Sequence, residues 1–232
     1  MSALPVRQSK RPWKWSISTS NTGLEILDKI IPYLRSRGVK NEIYCGGGIL
    51  TPEHARINEA LMKTVIKYAP IAMEDPTNYE ARANLLYCSS WGNNGYVVKG
   101  KPVNWSVHAL EHELTSFNDT THGDGLAVLT PRWMRWVIED PSKKWRFVEM
   151  GVNVWGIDPN LPEDEIVEKC IEAVEDWFWN KLHLHKNLRE LGIKEEDLEM
   201  FASQVDKKLG YLQGCYRPYT AEAIRRIYHD SF

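Results

Sequence analysis

A mainly all-α, multi-helix bundle is the fold class this sequence predicts, and three features predict it. From residue 51 onward, N-cap and proline start signals recur ahead of apolar residues spaced three and four apart. Stretches that alternate apolar and polar residues, as strands do, are scarce. Clusters such as Gly92-Asn93-Asn94-Gly95 fall where helical runs close.

Thr51-Pro52-Glu53 supplies an N-cap, a proline at the first helical position and a carboxylate in the first turn. Ile57, Leu61, Val65 and Tyr68 follow at helical spacing, and Pro70 is expected to stop the run because it offers no N–H. Asp75-Pro76 repeats the start signal and predicts a second helix to about Trp91. A third helix is expected over 104–117. A fourth runs from Gly123 towards Val137, where Pro131 should kink or divide it. Beyond Pro141, Phe147, Met150, Val154 and Trp155 keep helix-compatible spacing. Pro162-Glu163-Asp164-Glu165 opens a long amphipathic segment reaching Trp179. Two shorter helices, over 194–207 and, capped by Thr220, over 221–229, complete the bundle.

Residues 1–50 read as a short irregular α/β segment, separate from a helical domain over 51–232. SISTSNTG is polar and loop-like, Leu24 to Leu34 suits one short helix, and Val39 to Tyr44 suits a strand. Gly46-Gly47-Gly48 follows that strand, where bare amides could approach a phosphate. It has neither GxGxxG spacing nor GK[ST], so a flexible connector is the better reading.

A net charge of −2, with acids and bases mixed, gives no footprint for nucleic acid or an anionic membrane surface. The apolar runs are too short to span a bilayer. MSALPVRQSKRPWKW is basic but lacks the apolar core of a signal peptide. Cys45, Cys88, Cys170 and Cys215 form no CxxC pair and read as reduced thiols of a cytoplasmic protein. Ten tryptophans are many for this length, and most are expected in the core or at interfaces.

The chemistry concentrates in HALEHELTSFNDTTHG, residues 108–123, which holds three of the seven histidines. His108 and His112, four apart, project from one face of a helix. His122 follows one short loop later beside Gly123, where the chain can turn back. Such a trio can close around a borderline ion such as Zn²⁺ or Fe²⁺. The other four, His54, His183, His185 and His229, read as structural. The same segment contains an HxxEH string, the inverted zinc-protease signature, with both histidines as ligands and Glu111 as general base. That reading needs a downstream carboxylate ligand; Glu163, Glu165, Glu168 and Glu172 are available but read equally well as a solvated face.

Longer strings decide between these readings. WSVHALEHELT (105–115), THGDGLA (121–127) and PRWMR (131–135) resemble the iron-containing alcohol dehydrogenases, in particular the NADPH-dependent butanol dehydrogenases among them. ALMKTVIKYAP (60–70), DPTNYEAR (75–82), VWGIDP (154–159), LRELGI (188–193) and YRPYT (216–220) fit the same family's C-terminal helical domain, so the resemblance runs from about residue 52 to the end. It implies that His108 and His122 are metal ligands, that His112 is a proton relay near the nicotinamide, and that Glu111 is an ordinary helix residue. The implied reaction interconverts a primary, butanol-like alcohol and its aldehyde with NAD(P)H at a divalent metal, Fe²⁺ or Zn²⁺.

Two departures qualify that expectation. Residues 1–50 stand where the family carries a nucleotide-binding α/β domain, so that segment is at most a relic and the NADP(H) site is largely absent. A partner chain or upstream sequence would have to supply it. The family's further ligands, an aspartate and a histidine four residues later, also lack a counterpart. Asp28 is followed at that spacing by Pro32 and Glu25 by Lys29, and the extra His54 has no supporting register. Two imidazoles alone hold a divalent ion weakly. The alternative is a truncated, inactive homologue acting as a dimerising or binding module, its aromatic surface favouring a homodimer unless Trp13 and Trp15 cover it.

Overall fold

The structure is a computed structural model that describes residues 52–94 and 105–232, with side chains of the first stretch from residue 56 onward. The expectations for Leu24 to Leu34, Val39 to Tyr44, Gly46 to Gly48, Cys45, Thr51 and the His54 side chain lie outside the described residues. Within them the chain is helical, with no strand.

The helices are α1 (Pro52–Glu74), α2 (Tyr79–Asn93), α3 (Ser106–Asn118), α4 (His122–Ile138), α5 (Lys144–Asn153), α6 (Glu163–Asp176), α7 (Leu198–Asp206), the single turn α8 (Leu209–Leu212) and α9 (Ala221–Asp230). Short 3₁₀ turns at Pro141–Lys143 and Glu195–Asp197 lead into α5 and α7. A π-helical turn, Trp177–Lys181, extends α6.

The start signals act through local hydrogen bonds. Asn78 caps α2 by accepting from the Ala81 N–H at 3.0 Å, while Asp75, the expected start, instead closes a turn onto Thr77. Thr220 caps α9 by accepting from the Ala223 N–H at 3.1 Å, as its position predicts.

Proline departs from expectation at Pro70. Pro70 does not stop α1, which continues to Glu74. The carbonyl that its missing N–H would have used, that of Ile66, accepts from Trp177 Nε1 at 3.3 Å. A tryptophan remote in sequence thus replaces the lost helical bond. Of the two outcomes expected at Pro131, a kink or a division, division does not occur: the residue is buried inside α4, which continues to Ile138.

Helix α1 pairs with α2, α3 with α4, α5 with α6, and α7 with α9, and α3 and α4 also pack on α7 and α9 respectively. One core joins these layers. Leu110 and Leu114 from α3, Val128 and Leu129 from α4, Ile171 from α6, Phe201 from α7 and Tyr228 from α9 are fully buried. Each such side chain contributes about 1.5–3 kcal/mol relative to exposure. The Tyr228 hydroxyl donates to the Leu110 carbonyl at 2.7 Å, and burial holds its pKa well above the usual phenol value. The α1–α2 pair lies over the bundle, leaving an apolar cavity of about 450 Å³ whose walls include Leu61, Val65, Trp133, Phe147 and Trp177.

Cys88, Cys170 and Cys215 are free and buried, as a reduced-thiol reading expects. Trp136 is in the core, whereas Trp105 and Trp145 are about half exposed, at 50% and 49%. No described helix is long and apolar enough to cross a membrane.

Candidate metal centre

The site is built on the α3–α4 pair. His108 and His112 lie one helical turn apart on α3, whose interior is fixed by Leu110 and Leu114 on the opposite, buried side. The chain reverses through Asp119, which adopts the left-handed conformation (φ 53°) and donates its N–H to the Thr115 carbonyl. Asp accepts that conformation more readily than most residues. The reversal therefore occurs earlier than Gly123, where the sequence suggested it; Gly123 lies inside the first turn of α4.

The first residue of α4 is His122, and the reversal returns it to the α3 face. The three imidazoles converge: ring centroids are 5.0 Å apart for His108 and His122, 5.5 Å for His112 and His122, and 5.9 Å for His108 and His112. Burial, together with the neighbouring His122 and His112, lowers the His108 pKa, an effect partly offset by Glu111. A neutral His108 keeps a lone pair available for a ligand.

Glu111 departs from expectation. It is not an ordinary helix residue: its side chain is 0% exposed and its Oε2 contacts His122 Nδ1. Oε1 accepts from Thr115 Oγ1 at 2.6 Å, and that hydroxyl also lies 3.0 Å from the Thr120 carbonyl. Sequence reasoning missed this carboxylate because its partner sits on the next helix.

Glu111, His112 and His122 bring candidate ligand atoms within 4.8 Å of one another. Glu111 is nevertheless a poor ligand, since both of its oxygens are already engaged and none faces solvent. The same burial removes the general base that the HxxEH protease reading requires. Glu163, Glu165, Glu168 and Glu172 are exposed on α6, where Glu168 pairs with Arg135 and Glu165 with Lys169, a solvated face.

An open cleft of about 720 Å³ lies against His108 and His112, with Trp105, Lys208 and Tyr211 also among its walls. Trp105 meets His108 edge-on at 4.7 Å, and its backbone N–H donates to the Tyr211 hydroxyl at 3.0 Å. Lys208 pairs with Glu113 at 2.5 Å, anchoring the α7–α8 junction to α3. On the other side, Asp124 accepts from both the backbone N–H and Nδ1 of His185, at 3.0 and 2.6 Å, which fixes the segment after the π-helical turn. His185 therefore has a structural partner outside the trio, and His183 takes a left-handed backbone (φ 56°) on the same segment.

The helical bundle thus carries a histidine trio on one helical hairpin, and comparison with known proteins shows the family to which the chain belongs. Residues 42–232 match the model of the Fe-containing alcohol dehydrogenase family, C-terminal, and the chain belongs to that family. It is 46% identical over 176 residues to NADH-dependent butanol dehydrogenase B of Clostridium acetobutylicum, an alignment covering 76% of this chain and 45% of that protein. Identity to the NADPH-dependent aldehyde reductase YqhD of Escherichia coli is 27% over 173 residues, covering 75% of this chain and 44% of that one. The fold superposes on the crystal structure of NADH-dependent butanol dehydrogenase A from Thermotoga maritima with a TM-score of 0.69 and 28% identity, covering 81% of this chain and 48% of that one. The chain thus spans about half the length of the relatives it matches.

Proposed function

We propose that this chain carries the metal and substrate side of an iron-type alcohol dehydrogenase that interconverts a primary, butanol-like alcohol and its aldehyde. In this reading His108 and His122 hold a divalent ion, Fe²⁺ or Zn²⁺, and residues 51–232 form the metal and substrate domain. The carrying observation is the 5.0 Å separation of the His108 and His122 rings. Two imidazoles that bind one ion at about 2.1 Å place their centroids roughly 4.5–5.2 Å apart, so the pair fits such an ion with little movement. A histidine pair suits either metal, and the family description favours iron.

When bound, the ion would supply Lewis acidity towards a substrate oxygen. The protein's own residues supply the rest. The lowered pKa of His108 keeps it unprotonated, as a ligand must be. Trp105 and Tyr211 give the cleft aromatic walls that suit a short alkyl chain. His112 is exposed and lines the cleft, so its imidazole can carry a proton between substrate oxygen and water. The reductant is a nicotinamide coenzyme. Relatives are named for NADH and for NADPH, and both are candidates here.

The test is butanal reduction by the Fe²⁺-loaded chain joined to the N-terminal nucleotide-binding half of a homologous butanol dehydrogenase, under anaerobic conditions, with NADH and NADPH in parallel. Loss of the reduced-nicotinamide absorbance in the parent, and its abolition in His112→Ala with metal retained, is expected. No metal-dependent oxidation of either coenzyme would overturn the assignment.

A second reading has its own observation. Helix α2 presents Tyr79, Leu86 and Tyr87 at 85%, 70% and 60% exposure, a surface suited to self-association as a homodimer. Sedimentation that stays monomeric at rising concentration would remove it.

A further inference from the structure

We propose that Glu111 is a positioning residue for His122: it accepts the Nδ1 proton, fixes the ring, and leaves Nε2 as the lone pair offered to a ligand. The inference deepens the metal reading above and rests on His122 being a ligand.

Three observations carry it. Glu111 is fully buried, and a buried carboxylate is retained only where hydrogen-bond donors meet it. Its polar contacts are the Thr115 hydroxyl, which donates to Oε1, and His122 Nδ1, which meets Oε2. An ionised carboxylate only accepts, so a hydrogen bond to it takes an N–H at Nδ1, and a ring that binds metal is neutral and carries no second N–H. Nε2 is then the ring's free donor atom by elimination.

The space for this carboxylate is made by Gly125. A Cβ at position 125 would lie 2.9 Å from both Cγ and Oε1 of Glu111, closer than packed atoms tolerate. Helix α4 therefore carries, one turn after His122, the residue whose missing side chain admits the group that orients His122.

The Thr115 hydroxyl has one proton and two acceptors within reach, Glu111 Oε1 and the Thr120 carbonyl. It can turn from one to the other, which makes Glu111→Gln a nearly isosteric variant. The Gln Oε1 would accept from His122 Nδ1. Its amide would donate to the Thr115 hydroxyl, which would donate in turn to Thr120. That variant removes the charge and keeps the geometry, whereas Glu111→Ala removes both.

Outer carboxylates of this kind orient imidazole ligands and raise their basicity, and their loss typically costs ~10–100-fold in metal affinity. The experiment has two readouts. Nitrogen-15 NMR of histidine-labelled, metal-free protein reports the His122 tautomer. Co²⁺ titration against a chromophoric chelator reports affinity.

The parent is expected to show His122 protonated at Nδ1. Glu111→Ala should populate the Nε2-protonated form and weaken Co²⁺ binding by ~10–100-fold. Glu111→Gln should keep the parent's tautomer and bind Co²⁺ with intermediate affinity. Gly125→Ala, which leaves the carboxylate present but displaced, should behave like Glu111→Ala. An Nε2-protonated His122 in the parent, or parent-like tautomer and affinity in Glu111→Ala, would overturn the proposal. Failure of the underlying metal reading looks different: His122→Ala would bind Co²⁺ as tightly as the parent, and the tautomer of the parent would still decide whether Glu111 fixes the ring.

Discussion

Replacing Pro70 by Ala tests how α1 survives an internal proline. A proline in a helix interior is about 3 kcal/mol less favourable than alanine. Part of that penalty is offset by the bond from Trp177 Nε1 to the Ile66 carbonyl, 3.3 Å long and half-buried. Such a bond contributes about 1 kcal/mol, and Pro70→Ala is therefore expected to stabilise the protein by about 2 kcal/mol. The more diagnostic quantity is its coupling to Trp177→Phe. With proline at 70, that substitution strips the Ile66 carbonyl of the donor that replaced its helical partner. With alanine at 70, the new N–H serves the carbonyl and the loss matters less. Urea unfolding of the parent, both single variants and the double variant should give a coupling energy of about 1 kcal/mol. Additive effects, within about 0.3–0.5 kcal/mol, would refute the compensation.

Other consequences follow from particular contacts. Thr220→Ala should cost about 1 kcal/mol and raise amide exchange selectively in the first turn of α9, since the Ala223 N–H loses its acceptor. Tyr228→Phe should cost about 0.5–1.5 kcal/mol in urea unfolding, reflecting its buried bond to Leu110. Burial pushes the Cys170 thiol from 9.0 up to about 12. Its contribution is intact below pH 9 and is lost as pH rises towards 12, because the unfolded thiol ionises first. Stability should fall across that window by up to about 1.4 kcal/mol per pH unit from this group, and Cys170→Ala should flatten the fall.

Much of the helical frame was legible in the sequence because its signals are local. Thr220, the Pro162 start and the Gly92-Asn93-Asn94 stop act on backbone groups a few residues away, and each falls where the spacing places it. The proline at 70 misled for the opposite reason: its repair comes from a side chain far along the chain. Single turns such as α8 are too short to leave a periodic pattern.

The site divides in the same way. The i, i+4 spacing of His108 and His112 and the short return to His122 were enough to anticipate the convergence of three rings. Glu111 was not legible as a partner of His122, because on one helix it looks like any acid among exposed residues. Its burial depends on the cross-helix approach at Gly125, and a glycine just inside the start of α4 was the signal that could have pointed to it.

The central claim is that His108 and His122 hold the metal while His112 does not. Bound metal per chain, measured after anaerobic purification of the parent, His108→Ala, His112→Ala and His122→Ala, tests it most directly. Metal retained in the parent and in His112→Ala but lost from the other two is the predicted pattern. Metal lost with His112 and kept without His108 or His122, or absent from the parent, would contradict it.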